Sequence, residues 1–113
     1  MTTNPIGLTD VRNRSLPQVV YKYQIMVGDS LQVYWPPGTR VTLSRVALDD
    51  TRAVEFWLAH TKPTGERDLD ELWMVDMDIY ATGQPIPGNF DVVSTCCDPI
   101  NPLVWHLVIA RGE

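Results

Sequence analysis

The sequence has no long apolar run, almost no cysteine, little positive charge and no catalytic signature, and each absence excludes a class of function. No stretch reaches the ~18 consecutive apolar residues that cross a bilayer as a helix, so no membrane-spanning segment is expected. Residues Met1 to Pro17 are polar, interrupted by Pro5 and Gly7, and lack the apolar centre of a secretory signal. Lys and Arg number 9 against 14 Asp and Glu, a formal net charge of −5. Affinity for nucleic acid rests on neutralising phosphates with clustered cations. Here Arg12, Arg14, Lys22 and Arg40 are scattered, so a nucleic-acid partner is not expected.

The only cysteines, Cys96 and Cys97, are adjacent. A bridge between neighbours strains the intervening peptide, and there is no third cysteine to pair with either. Unpaired thiols suit a reducing compartment, which points to a cytoplasmic protein. Zinc usually takes four ligands, and Cys96, Cys97, His60 and His106 show neither CxxC nor HxxxH spacing. No metal or cofactor is expected. The chain also lacks a Gly-x-Ser-x-Gly elbow, a phosphate-cradling glycine loop and an HExxH pair. A non-enzymatic role is therefore expected. There is no internal repeat and no low-complexity segment.

What is present reads as one globular domain. The 113 residues, 44% hydrophobic and 20% charged, are ordinary for such a chain. Residues 1–17, with Pro5, Gly7, Asn13 and Pro17, read as an extended N-terminal arm ahead of a single β domain over residues 18–113. From Gln18 onwards apolar residues recur at every second position, the period of a half-buried strand. Tyr21, Tyr23 and Ile25 share one face of the first strand, which ends at the Gly28-Asp29 turn. Leu31, Val33 and Trp35 mark a second strand, closed by Pro36-Pro37-Gly38. The third, from Arg40 to Leu48, changes face between Val41/Leu43 and Val46/Leu48, which predicts a β-bulge near Ser44-Arg45. After a turn at Asp49-Asp50-Thr51, Ala53 to His60 carries large apolar groups on both faces, as a central strand does.

Lys62 to Asp70 reads as a polar loop. Glu71 to Ala81 reads as the longest strand, with Trp73, Val75, Met77 and Ile79 on one face. A helical stripe through Leu72, Val75 and Ile79 competes, but the alternation is cleaner. The proline- and glycine-rich TGQPIPGN (82–89) is a loop. Phe90 to Cys97 and Leu103 to Ala110 complete the set. About seven short strands, turns between them and no strong helix predict an all-β antiparallel sandwich or barrel.

Residues 49–78 hold nine carboxylates (Asp49, Asp50, Glu55, Glu66, Asp68, Asp70, Glu71, Asp76, Asp78). They form either a solvated edge or an acidic patch that meets a basic partner or a cation. Asp76 and Asp78 fall on one strand face, as a solvent-facing row balanced by cross-strand Lys or Arg, or as a cation or acid–base pair. Four tryptophans (Trp35, Trp57, Trp73, Trp105) are many for this length. Most belong in a core. Trp35, just before Pro36-Pro37-Gly38, and Trp57, opposite the Val54/Phe56/Leu58 face, are the candidates for an exposed anchor in a pocket or interface. His60 and His106 are the natural bases, but a lone strand histidine more often packs or hydrogen-bonds than catalyses.

Four stretches in order, VVYKYQI (19–25), PPGTRV (36–41), ATGQPIP (81–87) and LVWHL (103–107), resemble a family of small uncharacterised proteins of bacteriophages and some bacterial genomes. The resemblance covers roughly residues 18–110. It implies a phage source and an all-β fold and lends no catalytic residues. The family pattern has histidine where this chain has Gln84, so no loop-histidine site is expected. A shared site would fall on Thr82, Gly83, Pro85 and His106. The favoured reading of those residues is structural, a tight loop held by a strand histidine.

Two functions follow as expectations. One is a phage accessory protein in the host cytoplasm that binds a host or phage protein or a small signal molecule. The other is a virion component, a capsid-decorating or minor tail protein, whose arm clamps a neighbour in a homo-oligomer.

Overall fold

Period-two alternation builds seven strands: β1 (Gln18–Met26), β2 (Leu31–Tyr34), β3 (Arg40–Val46), β4 (Ala53–Thr61), β5 (Met74–Ala81), β6 (Phe90–Cys97) and β7 (Val104–Ala110). A short helix, α1 (Arg67–Glu71), lies between β4 and β5. These elements come from a computed structural model that describes residues 17–47 and 52–110. The expected arm, apart from Pro17, and the Asp49-Asp50-Thr51 turn lie outside the described residues.

The strands form two antiparallel sheets, a three-stranded one in the order β1-β4-β3 and a four-stranded one in the order β2-β5-β7-β6. The architecture is thus a sandwich, the first of the two expected forms, and not a closed barrel. β1 pairs with β4 without interruption from Gln18 opposite Thr61 to Met26 opposite Ala53. Phe56 and Leu58 of β4, Met77 of β5 and Leu107 of β7 are fully buried between the sheets, with Ile25, Val33, Val46, Val54, Ile79, Cys96 and Ile109 around them. Removing this apolar surface from water is the main force holding the layers together.

Four expectations need correction. The bulge in β3 falls between Val41 and Leu43, two residues before the expected place. Val41, Ser44 and Val46 face inwards, and Leu43 turns outwards beside Trp57. Counting apolar letters kept Leu43 with Val41, whereas the small polar Ser44 takes the inward position because it has a partner there, Ser94. β6 carries a second bulge, between Val92 and Ser94, that its letters do not announce.

The polar loop contains a helical turn. α1 has no side-chain cap at Glu66 and buries no residue. It forms because the Asp70 amide donates to the Glu66 carbonyl (2.9 Å) and the Asp70 carboxylate gathers the loop before it. β5 accordingly starts at Met74 rather than Glu71, since Glu71 completes the helix and Leu72-Trp73 turn the chain. Finally, Asp76 and Asp78 are met not by cations but by the Gln32 amide of β2 (3.3 Å to Asp76) and the hydroxyl of Ser30 just ahead of it (to Asp78).

Candidate functional site

Among the described residues, a candidate cavity opens at the end of the sandwich where β2 and β4 terminate. β2 ends at Tyr34, and the next amide, Trp35 N–H, donates to the Trp73 carbonyl (2.8 Å). That bond runs the chain leaving β2 alongside the chain entering β5. Pro36-Pro37-Gly38 then turns away, with Gly38 at φ 89° and the Thr39 hydroxyl donating to the Pro36 carbonyl (2.6 Å). Pro17 ahead of β1, Thr61 at the end of β4, and Lys62 and Thr64 after it complete the walls. The space, open to solvent on one side, is about 480 Å³ and is lined by Pro17, Tyr34, Pro36, Pro37, Thr61, Lys62, Thr64 and Trp73.

Asp70 sets the shape of one wall. Its carboxylate accepts from Thr64 N–H (2.9 Å), the Thr64 hydroxyl (3.0 Å) and Gly65 N–H (3.1 Å). The Tyr34 phenol lies near enough for the two groups to shift one another's titration. The Thr64 amide above all, then the Thr64 hydroxyl, the Gly65 amide and Tyr34, hold this carboxyl below its usual range despite partial desolvation. Tyr34 moves the opposite way, its phenol raised first by burial and then by the Asp70 charge.

Behind Tyr34 lies His60, 1% exposed. Tyr21 stacks on the imidazole at 4.6 Å between centroids, and Tyr34 meets it edge-on at 5.3 Å. Nδ1 sits 2.7 Å from the Thr61 carbonyl, which can only accept, so Nδ1 carries a proton. In the neutral ring Nε2 then accepts from the Tyr23 hydroxyl, 3.3 Å away. Both nitrogens are spent inside the fold, and the ring stiffens the cavity's inner wall.

The residues singled out from sequence fall in two other places. Thr82 and His106 do come together: the Thr82 hydroxyl lies 2.7 Å from His106 Nε2, and Thr95 Oγ1 of β6 lies 2.9 Å from Nδ1. Gly83, at φ 95°, turns the chain directly after Thr82, and Pro85 lies exposed in the same loop. This arrangement pins the β5–β6 loop to β7 through one imidazole. Trp57 lies apart from them, on the outer face of the other sheet. Lys22 and Arg45 stand over its ring at 5.4 and 5.3 Å. Both cations also reach Glu55, at 3.2 and 2.9 Å. Their hydrogen bonds hold the Glu55 carboxyl below its ordinary value.

Elsewhere, Ser30 and Asp78 border a smaller hollow of about 210 Å³ with Gly28, Asp29, Ile79 and Tyr80. Cys96 is buried and Cys97 exposed, both as free thiols, and burial raises the Cys96 thiol. Among the described residues no three or more His, Cys, Asp or Glu side chains converge as metal ligands.

Residues 17–112 match the model of a family described as a domain of unknown function, DUF7352. The chain belongs to this family. No curated protein and no solved structure matches it. The matched stretch of this DUF7352 domain begins at Pro17 and contains every residue of the large cavity. Sequence reasoning missed that cavity. The signal available was a Tyr-Trp-Pro-Pro-Gly run (34–38) and a second tryptophan, Trp73, at the mouth of a strand.

Proposed function

We propose that this DUF7352 domain is a non-enzymatic binding module that takes a small, flat, mostly apolar ligand bearing an anionic group. The observation that carries this reading is the cavity itself. Its volume of about 480 Å³ falls in the range of small-molecule sites. Tyr34 and Trp73 offer aromatic surfaces, three prolines offer rigid apolar ones, and Lys62 supplies the cation. Asp70 and His60 hold the walls before any ligand arrives, which lowers the ordering cost of binding. His60 has both nitrogens committed, which favours binding over acid–base chemistry there.

The setting that goes with this reading is the one the motifs imply: a phage accessory protein that sequesters a small signal molecule in the cytoplasm of an infected host. The experiment is a thermal-shift and calorimetric comparison of nucleoside monophosphates, indole-3-acetate and anilinonaphthalene sulfonate. Stabilisation by at least one of these aromatic anions is expected. The gain should vanish in Trp73→Ala and weaken in Lys62→Gln. Equal stabilisation of wild type and both variants would sink the proposal.

A virion role is the second reading. It draws on the open edge of β1 described next.

A further inference from the structure

The sandwich has four sheet edges, and three of them are blunted. β2 is only four residues long and runs straight into Trp35 and the Pro36-Pro37 turn. β3 and β6 each carry a bulge, and they close against one another through the Ser44 and Ser94 hydroxyls, 2.7 Å apart. Bulges and short strands are the usual means of preventing edge pairing. β1 has neither. It runs nine residues with no bulge and no internal proline, and among the described residues no strand pairs with its other side.

The direction of its free backbone groups follows from one hydrogen bond. Val27 N–H donates to the Arg52 carbonyl (2.7 Å), in continuation of the β1–β4 register. In an antiparallel ladder the bonded positions alternate. Tyr21, Tyr23 and Ile25 therefore turn their peptide groups to β4, and Gln18, Val20, Lys22 and Gln24 turn theirs to the open edge. The one gatekeeper on that edge, Lys22, is drawn back over Trp57 to Glu55. Val20 beside it is 55% exposed.

We infer that β1 pairs antiparallel with β1 of a second copy about a two-fold axis at Tyr21, joining two three-stranded sheets into one. This register sets Gln18 opposite Gln24 and Val20 opposite Lys22, so the outward peptide groups of each strand meet those of the other. It keeps the outer faces on the same side and puts no like charges opposite one another. Shifting the axis to Lys22 sets two lysines face to face, which is unfavourable. A second copy suits the edge better than an arbitrary strand because β1 is self-complementary in length, polarity and hydrogen-bonding pattern. The interface is a strip of about 24 Å, from a rise of ~3.4 Å per residue. An interface of this small class gives a dissociation constant on the order of 1–100 μM.

The inference is independent of the cavity's ligand. Its test is sedimentation equilibrium of the full chain from about 1 to 500 μM, with three variants at Val20. Wild type is expected to pass from monomer to dimer across this range. Val20→Lys, which faces Lys22 of the other copy, should weaken the dimer at least tenfold, and Val20→Glu should leave it as tight or tighter. Val20→Pro removes an N–H that faces the open edge and not β4, so it should abolish the dimer; should it fail to fold by circular dichroism, the Lys and Glu pair decides alone. A wild type that stays monomeric throughout, or Lys and Glu variants that shift the equilibrium equally, overturns the inference.

Discussion

The hydroxyls of Ser44 and Ser94 lie 2.7 Å apart and join the bulged edges of the two sheets. Neither strand could offer that hydroxyl inwards in regular register; each bulge re-aims its serine. A Ser44→Ala, Ser94→Ala double-mutant cycle is expected to give a coupling of about 1 kcal/mol in urea unfolding, the net worth of a hydrogen bond between neutral groups. Additive single effects would mean that the two edges are held by packing alone.

The core sets a larger scale. Phe56 is fully buried at the centre of the sandwich, between Tyr23 and the four-stranded sheet. Phe56→Ala is expected to destabilise the fold by about 3–5 kcal/mol, through lost transfer energy and the cavity left behind. Denaturant unfolding monitored by circular dichroism measures it.

The all-β class and nearly all strand positions could be read from alternation, because burial on one sheet face demands period two. β6 matches the expected span residue for residue, and β1 begins at Gln18 as expected and ends two residues before the Gly28-Asp29 turn. The bulges were harder to read, since a serine turned inwards carries no apolar letter. α1 was invisible for a different reason. Four charged residues around the single Leu69 make no helical stripe, and the turn depends on Asp70 reaching back to Thr64 and Gly65. The cavity was least legible. Its walls come from Pro17, the Tyr34–Pro37 run, the segment after β4, and Trp73, four stretches brought together only when Trp35 bonds Trp73. Thr82 and His106 were singled out from their motifs and do meet, whereas Trp57 stands on the other sheet.

His106 and the cavity should be separable. Its two ring nitrogens face Thr82 and Thr95, both exposed. His106→Ala is expected to cost about 1–2 kcal/mol of stability through two lost hydrogen bonds and to increase proteolysis in the 82–89 loop. Affinity for an aromatic anion should change less than twofold. A tenfold loss of affinity would assign His106 to the ligand site.

Acid should loosen the cavity wall. Asp70, Asp98 and Glu55 all have folded-state pKa values below their ordinary range, Asp98 because the Asn101 and Ile100 amides (3.0 and 2.8 Å) bond its carboxylate. Such groups bind fewer protons folded than unfolded. Their stabilisation is complete above the unfolded values of about 3.9–4.3 and is lost as pH falls through the lower folded ones. The melting temperature should therefore fall below about pH 4, with a shallower fall in Asp70→Asn. In that variant the Thr64 and Gly65 amides should exchange on the order of tenfold faster at neutral pH, read by hydrogen exchange. An unchanged exchange rate would remove Asp70 from its role.

The most direct test of the binding reading is a two-dimensional amide and indole NMR titration of the full chain with indole-3-acetate and adenosine monophosphate. Shifts confined to Tyr34, Trp35, Thr61, Lys62, Thr64 and the Trp73 indole, saturating with at least one of the two and absent in Trp73→Ala, are expected. Saturating shifts centred on Trp57 or on Thr82 and His106, or no saturating shifts with either compound, would contradict a ligand site at this end of the sandwich.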